Sequence, residues 1–252
     1  MNTTNHQSPI TRTIVIGDIH GCHDELLDLL AEVNFTATDR AVAVGDLIVK
    51  GPKSKEVLDL FISDHRFSSV LGNHDLAVLN FLQGRDFKYS KAQKEASRDL
   101  QSDRKRYADF LSSLPLTIDL SSHLVVHAGV RPGVAPDRQE TDDLLELRTL
   151  GKHRTSRKGT PWYSIYDGEK RILFGHWPSQ QPRYGPHALG LDTGCVYGHR
   201  LSAYIVETGQ LVSVPARHSY TRSRRFYLLA TDRSMRIDQT PGSSPSTKSI
   251  HP

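Results

Sequence analysis

The chain has 252 residues, a net charge of +4 and 37% hydrophobic residues, a composition that fits one soluble, mildly basic domain. No apolar run approaches the roughly 20 residues of a membrane span, and the polar N-terminus lacks the apolar segment of a secretory signal. The two cysteines lack the spacing of a zinc ribbon and fit a reduced chain. We therefore expect a cytoplasmic protein without membrane association.

The first half of the chain predicts three repeats of a strand, a polar loop and a helix. After a disordered leader at 1–11, the predicted elements are strands at 13–16, 41–44 and 67–71 and helices at 23–33, 54–61 and from residue 76. Strands that alternate with helices are typical of a layered α/β sheet. In such sheets the functional site lies at the carboxyl ends of the strands.

The second half of the chain has a different pattern. Residues 83–112 are polar and predict a helical cap, whereas from Leu116 onwards short apolar runs separated by turn residues predict a second sheet. The predicted fold class is therefore α/β, a two-sheet β-sandwich flanked by helices. We assign this domain to residues 12–216, and we expect residues 217–252 to form a basic, largely disordered tail.

Five short polar clusters follow apolar runs along the chain. They are GDIHG (17–21), GDLIVKG (45–51), GNHD (72–75), VVHAG (125–129) and LFGH (173–176). Their carboxylate, amide and imidazole groups suit manganese, iron, cobalt or zinc rather than a thiolate site. The candidate metal ligands are Asp18, His20, Asp46, Asn73, His127 and His176.

These six residues predict a site for two metal ions. Asp46 would bridge the ions, the first of which would also bind Asp18 and His20, and the second Asn73, His127 and His176. Two ions about 3.5–4 Å apart clamp a phosphoryl group and activate water for direct attack. Each residue alone has an ordinary structural explanation, as a helix cap or a buried histidine. Those explanations do not predict that all six should follow strands.

His74 and Asp75 are candidates for catalysis. His74 follows the predicted ligand Asn73 and can face the oxygen of a leaving group. We expect the carboxylate of Asp75 to hold the imidazole of His74 and raise its pKa, which favours the protonated acid. The alternative is that His74 caps the following helix.

The clusters, together with GLDTGCVYGHRLSA (190–203), resemble the phosphoprotein-phosphatase-type metallophosphoesterases. The aspartate at position 75 in GNHD resembles the bacterial symmetrical diadenosine tetraphosphatases (ApaH), which also have aspartate there, whereas Ser/Thr protein phosphatases usually have glutamate. Lys50-Gly51-Pro52 and residues 145–150 resemble the ApaH-like phosphatases. The resemblance extends over residues 13–215.

The resemblance implies a calcineurin-like metallophosphoesterase fold and assigns roles to the candidate residues. Lys50 departs from the arginine that ApaH and the protein phosphatases have at this place, and lysine contacts phosphate as a point charge rather than bidentately. An exposed position at a helix end is an equally good explanation of Arg148. The implied roles are metal ligands for Asp18, His20, Asp46, Asn73, His127 and His176, an acid pair for His74 and Asp75, and phosphate binding for Lys50, Arg148 and Asn73.

We expect a phosphohydrolase that cleaves phosphoanhydride bonds by direct water attack. The expected substrates are polyanions, namely diadenosine tetraphosphate-like dinucleotides, inorganic polyphosphate or nucleotide caps, including capped RNA. The expected cofactors are two divalent transition-metal ions, manganese first, with cobalt, zinc or iron as alternatives. A Ser/Thr protein phosphatase and a metal- or RNA-binding module without activity are the competing functions. We expect a monomer.

Overall fold

The computed structural model describes residues 11–221, which form one compact unit. The predicted leader at 1–11, except Thr11, and the predicted tail from residue 222 onwards lie outside the described residues. The helices are α1 (His23–Glu32), α2 (Ser54–Ser63), α3 (Asn73–Leu82), α4 (Lys91–Asp99), α5 (Arg104–Ser113) and α6 (Thr141–Glu146). The strands are β1 (Arg12–Ile16), β2 (Asp39–Ala43), β3 (Phe67–Ser69), β4 (Thr117–Asp119), β5 (His123–Val126), β6 (Thr149–Leu150), β7 (Thr160–Pro161), β8 (Arg171–Phe174), β9 (Arg183–Gly185), β10 (Ala188–Gly190), β11 (Arg200–Ile205) and β12 (Gln210–Pro215).

The strands form two main sheets, which confirms the predicted α/β class. The first sheet has the order β12-β11-β1-β2-β3, in which β1, β2 and β3 run parallel and β11 pairs antiparallel with β1. The second sheet has the order β4-β5-β8-β10-β9, in which β5, β8 and β10 run parallel. Each sheet therefore has a set of parallel strands whose carboxyl ends lie at one edge.

Strand β1 begins with Arg12 and Thr13 and ends in the apolar run Ile14–Ile16, which is buried on both faces. Ile14 and Ile16 pack into the cluster formed with the helices, whereas Val15 faces the cluster that joins the two sheets. Val125 and Leu173 of the second sheet contribute to the same inter-sheet cluster. Because successive side chains of a strand point to opposite faces, a strand covered on both sides needs an uninterrupted apolar run.

The cap segment at 83–112 is helical only in part. Gly84, two residues after the end of α3, adopts a φ of +75°, a conformation that disfavours continuation of the helix. The chain then runs as a loop to Ser90, whose hydroxyl accepts a hydrogen bond from the backbone N–H of Gln93 and so caps α4. A loop at residues 83–90 therefore separates α3 from α4.

The first residues of the predicted tail pack against helix α1. The backbone N–H of Arg217 and the hydroxyl of Tyr220 both donate to the buried carboxylate of Glu25, and the guanidinium of Arg217 pairs with Asp28. The described residues thus continue to Thr221, five residues beyond the predicted boundary at 216. Both cysteines are free and buried. Between residues 11 and 221, no helix is long and apolar enough to cross a membrane.

Candidate metal centre

The polar clusters lie at the carboxyl ends of the parallel strands of both sheets. The loops after β1, β2 and β3 carry the first three clusters, and the loops after β5 and β8 carry the other two. Since the sheets pack face to face through their inter-sheet core, these loops converge at one edge of the sandwich. The structure places there all six predicted ligands: Asp18, His20, Asp46, Asn73, His127 and His176.

Asp46 lies at the centre of this group. One carboxylate oxygen is 3.5 Å from Nε2 of His20 and the other is 3.6 Å from Nε2 of His127. Ligand atoms of Asp18, Asp46 and His127 lie within 4.8 Å of one another, and all three side chains are buried. A carboxylate that faces two separate imidazoles has the geometry of a bridging ligand.

Backbone carbonyls orient two of the imidazoles. Nδ1 of His20 lies 3.1 Å from the carbonyl oxygen of Ile48, and Nδ1 of His127 lies 2.9 Å from that of Val44. When Nδ1–H donates to a carbonyl, Nε2 keeps its lone pair for a metal ion. Both rings therefore direct an Nε2 lone pair towards Asp46.

Asn73 links His127 to His176. Its side-chain oxygen lies 3.0 Å from Nε2 of His127 and 3.1 Å from Nδ1 of His176. Nε2 of His176 is buried and has no hydrogen-bond partner among the described residues. A buried polar atom without a partner is costly unless a ligand meets it. A cation bound in this half of the site would supply the partner that Nε2 of His176 lacks.

The donor set fits divalent cations. The ammonium of Lys50 lies 2.9 Å from Nε2 of His20. This is the nitrogen of His20 that would bind a metal ion, since Nδ1 faces the carbonyl of Ile48. Carboxylate, amide and imidazole donors suit manganese, iron, cobalt and zinc. The site would be stabilised by bound positive charge. This follows from its buried carboxylates, the unpartnered Nε2 of His176 and the position of Lys50.

Burial shifts the pKa of the site residues in opposite directions for acids and bases. It raises the pKa of Asp46 to about 6 and that of Asp18 well above its ordinary value. It lowers the pKa of His127 to about 4 and that of His20 well below its ordinary value. At neutral pH the imidazoles are neutral, which is the form that binds metal ions.

We expect manganese affinity to fall at least about tenfold between pH 7 and pH 5. The raised pKa of Asp46 means that this carboxyl binds a proton as the pH falls through about 6, and a metal ion must then displace it. His127 adds little in this range because its pKa is about 4. Calorimetric titration with Mn²⁺ in buffers of different ionisation enthalpy measures both affinity and proton release. Equal affinity and no proton release at the two pH values would contradict the expectation.

Three ligand residues have backbone conformations that are unusual outside glycine. His20, Asp46 and His176 have φ values of 50°, 52° and 65°. Left-handed backbone in such residues costs of order 1–3 kcal/mol each and persists where the surroundings impose it. At His176 the surroundings include Asp18, whose carboxylate oxygens accept hydrogen bonds from the His176 backbone N–H.

Gly175 allows this close approach, and we expect Gly175→Ala to weaken metal binding by at least about tenfold. A Cβ at this position would lie 2.0 Å from Oδ1 of Asp18, so the carboxylate would have to move. Gly133→Ala is the matched control, because no heavy atom lies within 4 Å of its added Cβ and its positive φ affects stability alone. Titration with Mn²⁺ compares the two variants. Unchanged affinity in Gly175→Ala would show that Asp18 does not contribute.

The predicted pairing of Asp75 with His74 is wrong. The carboxylate of Asp75 is fully buried and accepts hydrogen bonds from the backbone N–H groups of Leu47, Ile48 and Gly72, not from His74. Adjacent residues on a helix point about 100° apart, so the two side chains diverge. Asp75 therefore holds the loop after β2, and the role predicted for it in catalysis has no support from these contacts.

His74 lies at the site, but its pKa is not raised. Its backbone N–H donates to Asp46, and its Nδ1 lies 3.4 Å from Nε2 of Gln93. Burial, followed by the charge of Lys50, holds the pKa of His74 well below its ordinary value. A bound phosphate would act in the opposite direction, because its negative charge favours the imidazolium.

A polar cavity of about 190 Å³ opens over the ligands and contains the predicted phosphate-binding residues. Lys50, Arg148 and Asn73 all line it, which places Arg148 at the site rather than on a remote helix end. Arg157 also lines the cavity, although the sequence interpretation did not select it. Three basic side chains around one small cavity favour an anionic occupant.

Asp192 is a second residue that the sequence interpretation missed. It lines the same cavity, and burial raises its pKa to about 6. Its signal was present in the sequence, because Leu191-Asp192 follows the apolar run Ala188–Gly190 as Gly-Asp follows the earlier strands. Strand β10 pairs parallel with β8, so Asp192 reaches the same edge as His176.

Comparison with known proteins agrees with this geometry. The family model for calcineurin-like phosphoesterases matches residues 11–206. The chain is 29% identical to the asymmetrical bis(5'-nucleosyl)-tetraphosphatase PrpE of Bacillus subtilis, over 83% of this chain and 97% of that protein. It is also 29% identical to the symmetrical bis(5'-nucleosyl)-tetraphosphatase of Vibrio campbellii, over 81% of this chain and 98% of that protein.

Solved structures show the same relationship. A crystal structure assigned to a diadenosine tetraphosphatase superposes with a TM-score of 0.72 at 36% identity, over 83% of this chain and 96% of that chain. A protein serine/threonine phosphatase from Saccharomyces cerevisiae shares the fold, with a TM-score of 0.59 at 17% identity, over 88% of this chain and 84% of that chain. The family predicted from the sequence motifs is confirmed: the chain belongs to the calcineurin-like phosphoesterases, whose members use divalent metal ions.

Proposed function

We propose that this protein hydrolyses phosphoanhydride bonds in dinucleoside polyphosphates such as diadenosine tetraphosphate. The observation that carries the proposal is the single cavity in which Asn73, Asp46 and His176 lie beside the basic side chains of Lys50, Arg148 and Arg157. That cavity joins metal-ligand chemistry to phosphate-binding chemistry at one place. The names of the bacterial relatives, which include symmetrical and asymmetrical tetraphosphatases, support the same class of substrate.

The proposed cofactors are two divalent ions, with manganese as the first candidate. Asp18, His20 and Asp46 would hold one ion, and Asp46, Asn73, His127 and His176 the other. Bound there, the ions would draw electron density from phosphoryl oxygens and generate a water nucleophile at neutral pH.

The protein's own residues would position the substrate and manage protons. Lys50 and Arg148 would neutralise phosphate oxygens, and Arg157 on the cavity wall would extend this contact to a longer polyphosphate chain. His74 would donate a proton to the leaving oxygen once phosphate charge had raised its pKa. Asp75 would act only by fixing the loop that carries Asp46.

The same chemistry extends to related substrates. Inorganic polyphosphate and capped RNA contain the phosphoanhydride bond that this site is built to bind, and we propose them as alternative substrates. We also propose that the protein acts in the cytoplasm as a monomer.

Product analysis tests the proposed function. The purified, manganese-loaded protein is incubated with diadenosine tetraphosphate, and nucleotides are separated by anion exchange. Two ADP identify symmetrical cleavage, whereas ATP with AMP identifies asymmetrical cleavage. Both results support anhydride hydrolysis, and the ratio assigns the bond that is attacked.

A phosphoserine peptide assayed in parallel separates this function from that of a protein phosphatase. Release of phosphate from the peptide without cleavage of diadenosine tetraphosphate would overturn the proposal. Loss of both activities after removal of metal ions, with recovery on addition of Mn²⁺, would show that the metal centre carries the reaction.

A further inference from the structure

A second cavity, of about 450 Å³, lies beside the metal centre. Asn73 lines both cavities, so they meet at one of the proposed metal ligands. The larger volume lies within the range of about 300–1,000 Å³ typical of small-molecule sites, whereas the 190 Å³ of the first cavity does not. Residues of α3, the loop 83–90, α4 and α6 line the second cavity, among them Phe87, Lys88, Gln93, Asp142 and Glu146.

The two cavities differ in charge. The first has three basic side chains, Lys50, Arg148 and Arg157, against the two carboxylates of Asp46 and Asp192. The second has one lysine against the two carboxylates of Asp142 and Glu146. A polyphosphate chain in the second cavity would meet these carboxylates and be repelled. The second cavity therefore suits an uncharged, hydrogen-bonding group attached to an anion that lies in the first.

The ring of Phe87 lines the second cavity and is not fully covered by other apolar side chains. Phe87 is 58% exposed, and its ring centroid lies 5.5 Å from that of Tyr89. Tyr89 is itself fixed, because its ring packs edge-on against Phe81 and its hydroxyl donates to the carbonyl of Arg85. Phe87 thus offers an exposed aromatic face and is held by its contact with Tyr89. A nucleobase can stack on such a face.

The second cavity also touches the proposed catalytic group. Gln93 lines the cavity, and its side-chain nitrogen lies 3.4 Å from Nδ1 of His74. A ligand in the second cavity would therefore lie beside the histidine that faces the leaving group.

We propose that the second cavity binds a nucleoside of the substrate, with its base stacked on Phe87 and its ribose hydroxyls donating to Glu146 or Asp142. The polyphosphate would then run past Asn73 into the basic cavity over the metal ligands. This inference rests on the proposed function. It makes the enzyme selective for nucleoside polyphosphates over inorganic polyphosphate, because only the former can occupy both cavities.

Kinetics of Phe87 variants test the proposal. We expect Phe87→Ala to raise KM for diadenosine tetraphosphate roughly tenfold, the loss associated with one base–aromatic stack. Phe87→Tyr keeps a stacking face and should retain the KM of the unchanged protein. Inorganic tripolyphosphate, assayed as a competitor, has no base, so its inhibition constant should change less than twofold in Phe87→Ala. Tyr184→Ala removes an exposed aromatic ring outside both cavities and is the matched control.

The results separate this inference from the proposed function. If the unchanged protein hydrolyses diadenosine tetraphosphate but Phe87→Ala leaves KM unaltered, the nucleoside site is overturned and the proposed function stands. Equally weakened binding of tripolyphosphate and of the dinucleotide would also overturn the nucleoside site, because the variant would then have disturbed the phosphate site. If the unchanged protein cleaves no dinucleotide, the proposed function fails and this inference fails with it.

Discussion

Replacing Asp46 with asparagine is expected to lower kcat for diadenosine tetraphosphate by at least about 1,000-fold. The two oxygens of Asp46 face His20 and His127 from opposite sides, at 3.5 and 3.6 Å. A neutral amide in this place removes the negative charge that both halves of the site share. Steady-state kinetics at saturating Mn²⁺, with metal content measured on the same sample, give the size of the effect.

The control for this variant is Asp119→Asn. Asp119 is an exposed aspartate on β4 that pairs with Lys170. It lies opposite Leu124 near the amino end of β5, whereas His127 follows the carboxyl end of that strand. Its replacement should leave kcat within about twofold, as expected of a surface ion pair. Thermal unfolding of Asp46→Asn should show a folded protein, since a neutral amide replaces a carboxyl that burial already disfavours as an anion. Activity within tenfold of the unchanged protein would overturn the bridging role of Asp46.

Replacing His74 with asparagine is expected to lower kcat by roughly 100- to 1,000-fold for substrates with poor leaving groups. Donation of a proton matters most when the departing oxygen is strongly basic. The activity of the variant on phenyl phosphate should therefore fall more than its activity on p-nitrophenyl phosphate, whose leaving group departs readily without a proton. The ratio of the two losses is the measurement that identifies an acid rather than a positioning group.

His65→Asn is the matched control for this second variant, because His65 is exposed in the loop at the amino end of β3, whereas the polar clusters follow the carboxyl ends of the strands. Its kinetics should match those of the unchanged protein. An equal loss for both phosphate esters in His74→Asn would contradict proton donation by His74. Metal content of the variant must remain unchanged for the comparison to hold.

The six ligand-type residues could be predicted from the sequence because each follows an apolar run. Asp18 comes after β1 and Asp46 after β2, and these strands pair in parallel and in register. Parallel strands end at the same edge, so the order of strand and cluster along the chain predicts proximity. His127 and His176 follow the same rule in the second sheet, where β5 and β8 pair in parallel.

The relation between His74 and Asp75 could not be predicted from their adjacency. Both lie in the first turn of α3, where successive side chains diverge, and the direction of each depends on what packs beside the helix. The amide groups after β2 hold Asp75, whereas the cavity and Gln93 receive His74. A dipeptide of an acid and a histidine does not by itself make a catalytic pair.

Sequence alone determined the fold class and the family and predicted the ligand set, because these depend on local runs and on residues that follow them directly. Tertiary structure decided which basic and acidic residues complete the site. Arg157 enters the cavity from a loop remote in sequence, and Asp192 reaches it because β10 lies beside β8. Neither the path of a loop nor the order of strands in a sheet is encoded in local periodicity, since both follow from packing over the whole core.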